Sequence, residues 1–160
     1  GLDLRIDTDF ETDIGNLIFG LNLTYTFEHE RRVTPVSPPF SLLNEVGKPV
    51  DTRARAQAGW RRGAFSTFIF VNYVDDYANP FSDPPSRIDS WTTVDLTLRF
   101  DGSQLGRGGF LNGLRATLSI QNLFDSDPPV FRDSLIGVRY DSANASPFGR
   151  YISLRLTKRW

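Results

Sequence analysis

The sequence predicts an all-β fold, an antiparallel up-and-down meander of about seven or eight long strands. Three observations lead there. Apolar and polar residues alternate with a period of two in run after run, as side chains on the opposite faces of a strand require. Aromatic residues are abundant (13 Phe, 5 Tyr and 3 Trp), and they suit pleated, half-buried surfaces. No stretch carries the apolar spacing of a convincing amphipathic helix.

The runs follow one another in order. In the first, Leu2, Leu4, Ile6 and Phe10 share a face, with Thr8 as the exception, opposite Asp3, Arg5, Asp7 and Asp9. In the second, Leu17, Phe19, Leu21, Leu23, Tyr25 and Phe27 oppose Asn22, Thr24, Thr26 and Glu28. A third sets Ala54, Ala56, Ala58 and Trp60 against Arg53, Arg55, Gln57 and Arg61. The fourth, residues 64–75, is apolar on both faces, so its register stays open. The fifth sets Val94, Leu96, Leu98 and Phe100 against Thr93, Asp95, Thr97 and Arg99. The sixth sets Leu114, Ala116, Leu118 and Ile120 against Arg115, Thr117, Ser119 and Gln121. In the last, Ile152, Leu154 and Leu156 oppose Ser153, Arg155, Thr157 and Arg159.

Run length separates the all-β architectures. Most of these runs have the roughly 9–11 residues that span a bilayer, against about 5–6 in a typical soluble strand. The connections alternate too: about 6 residues after Phe10, about 22 after Glu28, then only Arg61-Arg62-Gly63. Short turns on one side and long loops on the other suit an outer-membrane barrel, with the polar faces lining a lumen and the apolar faces in lipid. Trp60, Phe100 and Trp160 fall near the short-turn ends, where an interfacial aromatic girdle belongs. A soluble β-barrel or sandwich binding a small ligand, with the apolar faces inside, remains the alternative.

Composition narrows the function. The length is that of one structural unit, and no apolar run reaches the roughly 18 residues of a transmembrane helix. Eighteen basic and nineteen acidic residues leave a net charge of −1, which gives no general attraction to nucleic acid. Cysteine is absent, which excludes disulfides, thiol catalysis and Cys-ligated zinc. There is no methionine and no signal peptide, so a piece of a longer protein is expected.

The C-terminal third carries a family resemblance. Ser119-Ile120-Gln121-Asn122-Leu123-Phe124-Asp125, followed by Asp127-Pro128-Pro129, resembles the end of TonB-dependent outer-membrane receptors. So do Gly137-Val138-Arg139-Tyr140-Asp141 and Asn144-Ala145-Ser146-Pro147-Phe148-Gly149-Arg150, with a final strand ending in Trp160. The resemblance is sharp over residues 113–160 and softer upstream. It implies the C-terminal portion of an outer-membrane β-barrel from a Gram-negative bacterium. Such a receptor imports a scarce nutrient such as an iron chelate, without a cofactor and without enzymatic activity. The family barrel has about 22 strands around a plug. Plug and TonB-contacting segment have no counterpart in these residues, so contact with the TonB complex would run through missing N-terminal parts. Ile152, Leu154, Leu156 and Trp160 resemble the signal read by the barrel-assembly machinery.

Other constellations weigh less. Arg53, Arg55, Arg99, Arg115 and Arg155 project to the polar face, either as lumen lining for an anionic ligand or as cross-strand partners of Asp3, Asp7, Asp9, Glu28 and Asp95. His29 is the only histidine, which excludes His-pair metal sites, and no nucleophile–His motif points to an enzyme. Asp125-Ser126-Asp127 begins like a calcium loop but lacks its glycine and glutamate, so it reads as a turn. Asp75-Asp76 near Asp83 is a weak cation candidate. Gly106-Arg107-Gly108-Gly109 lacks the Lys-Ser/Thr of a phosphate loop. Asn144-Ala145-Ser146 matches a glycosylation acceptor, but it belongs to the receptor-like motif.

Overall fold

The structure, a computed structural model, describes residues 1–105, 109–130 and 140–159. Its long strands are β1 (Leu2–Thr12), β2 (Gly15–Tyr25), β5 (Thr52–Arg62), β6 (Phe65–Val74), β9 (Trp91–Asp101), β10 (Leu114–Gln121) and β11 (Tyr151–Lys158). They pair antiparallel in one seven-stranded sheet, in chain order from β1 to β11. This is the expected meander. Two small ribbons, β3 (Glu30–Arg31) with β4 (Phe40–Ser41) and β7 (Tyr77–Asn79) with β8 (Ser86–Ile88), stand in the long loops. A 3₁₀ turn, Gly102–Leu105, follows β9. The further strand expected within residues 130–140 falls largely outside the described residues.

Strand parity is kept across the whole sheet, so the two faces differ in chemistry. Leu4 pairs with Leu23, Leu23 with Ala54, and Ala54 with Tyr73. Ile69 pairs with Leu96, Leu96 with Ile120, and Ile120 with Ile152. The sheet settles the register the sequence left open: Phe65, Thr67, Ile69, Val71 and Tyr73 join the apolar face, and Phe68 and Phe70 join the polar one. Among the described residues no layer covers the apolar face. Ile6, Phe19, Ile69 and Leu154 are 49, 42, 43 and 64% exposed. An 11-residue strand is about 37 Å long and, tilted near 40°, crosses about 28 Å, close to the apolar band of an outer-membrane barrel.

On the polar face β1 carries Asp3, Asp7, Asp9 and Glu11, whereas β11 carries Ser153, Arg155 and Thr157. Phe68 is accommodated here by the absence of a side chain on its partner. A Cβ at Gly59, paired with Phe68, would lie 2.6 Å from that ring. Arg55 and Arg99 sit over Phe70 and Phe68 at 4.5 and 5.4 Å from the ring centroids.

Two strand ends differ from expectation. The connection after β1 is shorter than the six residues read from the side-chain pattern, because the backbone ladder continues through Glu11–Asn16 and Thr12–Gly15. Gly15 makes that turn at φ +125°, and a Cβ there would lie 2.5 Å from the Arg61 carbonyl oxygen. Conversely, β2 stops at Tyr25, short of the expected Glu28, where its partner β5 begins opposite it at Thr52. Phe27 turns back to meet the Tyr25 ring edge-on at 5.2 Å.

Gly59→Val should drive Phe68 off its strand and destabilise the sheet by about 1–3 kcal/mol. Urea unfolding of the detergent-folded protein measures this, and an unchanged midpoint would mean that the ring moves aside freely.

Candidate functional site

Two features of the polar face and its loop end bring functional groups together. The first is a relay across β5, β6 and β9. Arg55 Nη1 donates to Asn72 Oδ1 at 2.6 Å, and Asn72 Nδ2 donates to Asp95 Oδ2 at 3.0 Å. Asp95 Oδ1 also accepts from the Asn122 backbone N–H at 3.0 Å, which anchors the turn after β10. The relay borders a cavity of about 530 Å³, lined also by Trp91, Gln121, Phe148 and Tyr151. The Trp91 indole N–H is shielded from solvent and has no acceptor among the described residues. Flat rings beside paired amide and charged groups suit a polar ligand with an apolar face.

The second is a polar cluster in the long loops, next to the small apolar core of Val50, Tyr77 and Ile88. The carboxylate of Asp141, only 5% exposed, accepts from the backbone N–H groups of Gly47 and Ala143 at 3.0 Å and from Asn144 Nδ2 at 2.8 Å. Asn144 Nδ2 also donates to the Lys48 carbonyl at 2.8 Å, and Asn144 Oδ1 accepts from Arg53 at 2.5 Å. Val46 N–H donates to the Ala78 carbonyl, which ties the same loop to β7. Three loops distant in sequence are thus sewn together above one end of the sheet. Burial, and next the Asp141 carboxylate, push the Tyr77 hydroxyl well above the ordinary tyrosine range. Asp75 is held below the ordinary carboxylate range, first by the Tyr73 hydroxyl it accepts from.

The residues singled out in the sequence are distributed as follows. Arg53, Arg55, Arg99, Arg115 and Arg155 all lie on the polar face. Arg55 stands 4.0 Å from Asp95, whereas Arg115 pairs at 2.9 Å with Asp101, an acid the sequence reading did not single out. Asp7 pairs with Arg5 of its own strand, Asp3 accepts from Thr24, and Glu28 lies beyond β2. Ile152, Leu154 and Leu156 are exposed on the apolar face, in register with Ile120, Leu118 and Ala116. Trp160 lies outside the described residues, as does most of Gly106-Arg107-Gly108-Gly109. Residues 122–125 form a turn closed by Asp125 N–H on the Asn122 carbonyl, and Asp125 Oδ1 accepts from the Arg150 backbone N–H. Asp76 is paired with Arg87, and no three acidic or histidine groups gather as a metal-holding set among the described residues. His29 is exposed.

A continuous meander of long strands, with one apolar and one charged face and its buried packing in loops at one end, is the wall of a membrane-type β-barrel. Residues 1–123 match the family model described as TonB dependent receptor-like, beta-barrel. The chain belongs to that family. The match overlaps the C-terminal motifs only at residues 113–123, so family model and motifs are largely independent signs. No curated protein and no solved structure matches the chain.

Asn144→Ala should leave the Lys48 carbonyl without its side-chain donor and the Arg53 guanidinium with only the Ala143 carbonyl at 3.4 Å, at a cost of about 1–3 kcal/mol. Faster proteolysis within residues 44–51, with the strands still protected, is the expected readout. Because the Tyr77 value is raised in the folded state, its contribution is complete below the ordinary tyrosine value of ~10 and fades as pH rises from there. Ultraviolet titration should show a tyrosine step well above the ordinary range, and Tyr77→Phe should remove the latest of the steps. A Tyr77 that ionises with the exposed tyrosines would contradict the geometry of the cluster.

Proposed function

We propose that the chain is the C-terminal wall of a receptor that imports a scarce nutrient such as an iron chelate across the outer membrane of a Gram-negative bacterium. The observation that carries this reading is the match to the receptor barrel family, on a sheet whose parity puts every apolar strand face on one side. The apolar face meets outer-membrane lipid, and the polar face, including Arg53, Arg55, Arg99, Arg115 and Arg155, lines the lumen. The role is passive: the wall confines and orients the nutrient, and no chemical step is required of it. Energy coupling to the TonB complex belongs to a plug and an N-terminal segment, for which these residues hold no counterpart. The barrel-assembly machinery reads Ile152, Leu154, Leu156 and Trp160. An unpaired strand edge in lipid costs several kcal/mol per unsatisfied backbone group, so the last strand has to be captured and closed.

Spin labels on the receptor in lipid vesicles test the orientation. At Leu96, Leu118 and Leu154 they should respond to apolar quenchers, and at Thr117 and Ser153 to aqueous ones. The reverse pattern would point instead to a soluble barrel with an apolar interior. Trp160→Ala should lower the heat-modifiable folded fraction several-fold at unchanged synthesis. Trp160→Phe should be nearly silent, because ring placement at the interface survives. Equal folded fractions for Trp160→Ala and the unaltered receptor would remove the assembly role.

A further inference from the structure

We propose an oxyanion site at the short-turn end of the polar face, built on one row of the sheet. The registers place Arg61, Ser66, Arg99, Thr117 and Arg155 side by side across β5, β6, β9, β10 and β11. Guanidinium and hydroxyl thus alternate, strand by strand. Neighbouring arginines of the row are two strands, about 10 Å, apart at the backbone, near enough for their long side chains to converge on one group.

What distinguishes this row is the state of its charges. Elsewhere on the polar face the bases are engaged: Arg5 with Asp7, Arg55 with Asp95 and Arg115 with Asp101, while Arg53 donates to the Asn144 side-chain oxygen. Arg61, Arg99 and Arg155 form no ion pair among the described residues. On the β1 side the row reaches Glu11, two strands beyond Arg61 with Asn16 between them, and Arg61 also borders a second cavity with Asp9 and with Asp7, the latter paired with Arg5. A cavity of about 510 Å³ opens over four of the five, Arg61, Ser66, Arg99 and Thr117, and is lined also by Gln104 and Arg115. The one acid at its wall, Asp101, is occupied by Arg115 and by the Ser103 backbone N–H.

Guanidiniums without an acid partner, Arg99 among them with its group over Phe68, offer planar forks of N–H donors, which match phosphate and carboxylate oxygens two at a time, and the hydroxyls between them add single donors. The ligand class is therefore a small polyanion bearing phosphate or carboxylate groups. On the transporter reading, on which the site's place in a lumen rests, it is met at the end of the passage away from the long loops.

Inorganic pyrophosphate is the probe, titrated against the purified full-length receptor in detergent by calorimetry at low salt. Binding should be saturable and weaken steeply as salt is raised. Arg61→Gln with Arg99→Gln should weaken it at least 10-fold, Ser66→Ala with Thr117→Val several-fold, and Arg5→Gln not at all. Arg99→Lys keeps the charge but loses the fork and should fall between. Heat-modifiable mobility confirms that each variant is folded. Absence of saturable binding, or equal binding in a folded double arginine variant, overturns the site. Spin labels separate this from the transporter reading. An aqueous Thr117 with no pyrophosphate binding sinks the site alone, whereas binding with Leu118 facing water keeps the site and sinks the lumen.

Discussion

The unbroken antiparallel ladder, held in a single parity from β1 to β11, is the constraint on which the rest of the molecule depends. In an apolar layer no water can satisfy a peptide group, so each strand must take its hydrogen bonds from its neighbours. A slip of one residue anywhere would turn a whole strand over and put charge on the apolar side. That is why the sheet tolerates Phe68 and Phe70 on its polar face. Moving them to the apolar side would flip Ile69, Val71 and Tyr73, whose partners Leu96, Val94 and Thr92 fix their places. Gly59 and the guanidiniums of Arg55 and Arg99 make room for the rings and cover them instead.

A sheet without a second layer has no interior of its own. Among the described residues the hydrophobic core usually found between layers is reduced to a cluster of Val50, Tyr77 and Ile88 in the loops, with Ala64 buried apart from it. Beside it, Asp141 and Asn144 perform the tasks of backbone in a sheet, giving and taking hydrogen bonds from segments that have no ladder to join. The strands are held by pairing; the loop end is held by these two side chains together with the Asn44–Asp51 hydrogen bonds and the backbone bonds to Ala78.

Much of the sheet was legible in the sequence, because a strand with one apolar face writes its register as a period of two. Residues 2–10, 17–25 and 114–121 carry that pattern and lie in strands as read. The strand at residues 65–74 was legible as a strand but not in register, since both of its faces are apolar and only its neighbours decide. The ribbons β3–β4 and β7–β8 left no sign, being two or three residues long. The clustering of Asp141 and Asn144 with Gly47, Lys48 and Arg53 depends on loops that meet only in three dimensions. Their presence in one motif marked the segment without disclosing its contacts. For the arginines the pattern disclosed the face and, in Asp95, one acid that Arg55 approaches, whereas Asp101 reaches Arg115 through strand pairing that the spacing alone does not announce.

Acid and base are also sorted sideways on the polar face: β1 carries Asp3, Asp7, Asp9 and Glu11 against Arg5 alone, β5 carries Arg53, Arg55 and Arg61 and no acid, and β9 to β11 mix Arg99, Arg115 and Arg155 with Asp95 and Asp101. The wall therefore carries a dipole that runs across its strands and not along them. At physiological ionic strength a charge is felt over about 8 Å, less than the roughly 10 Å spanned by two strand spacings. Each zone then acts on its own strip of surface. A negative and a positive body moving over this wall would keep to separate lanes, like traffic divided by sign, without either having to bind.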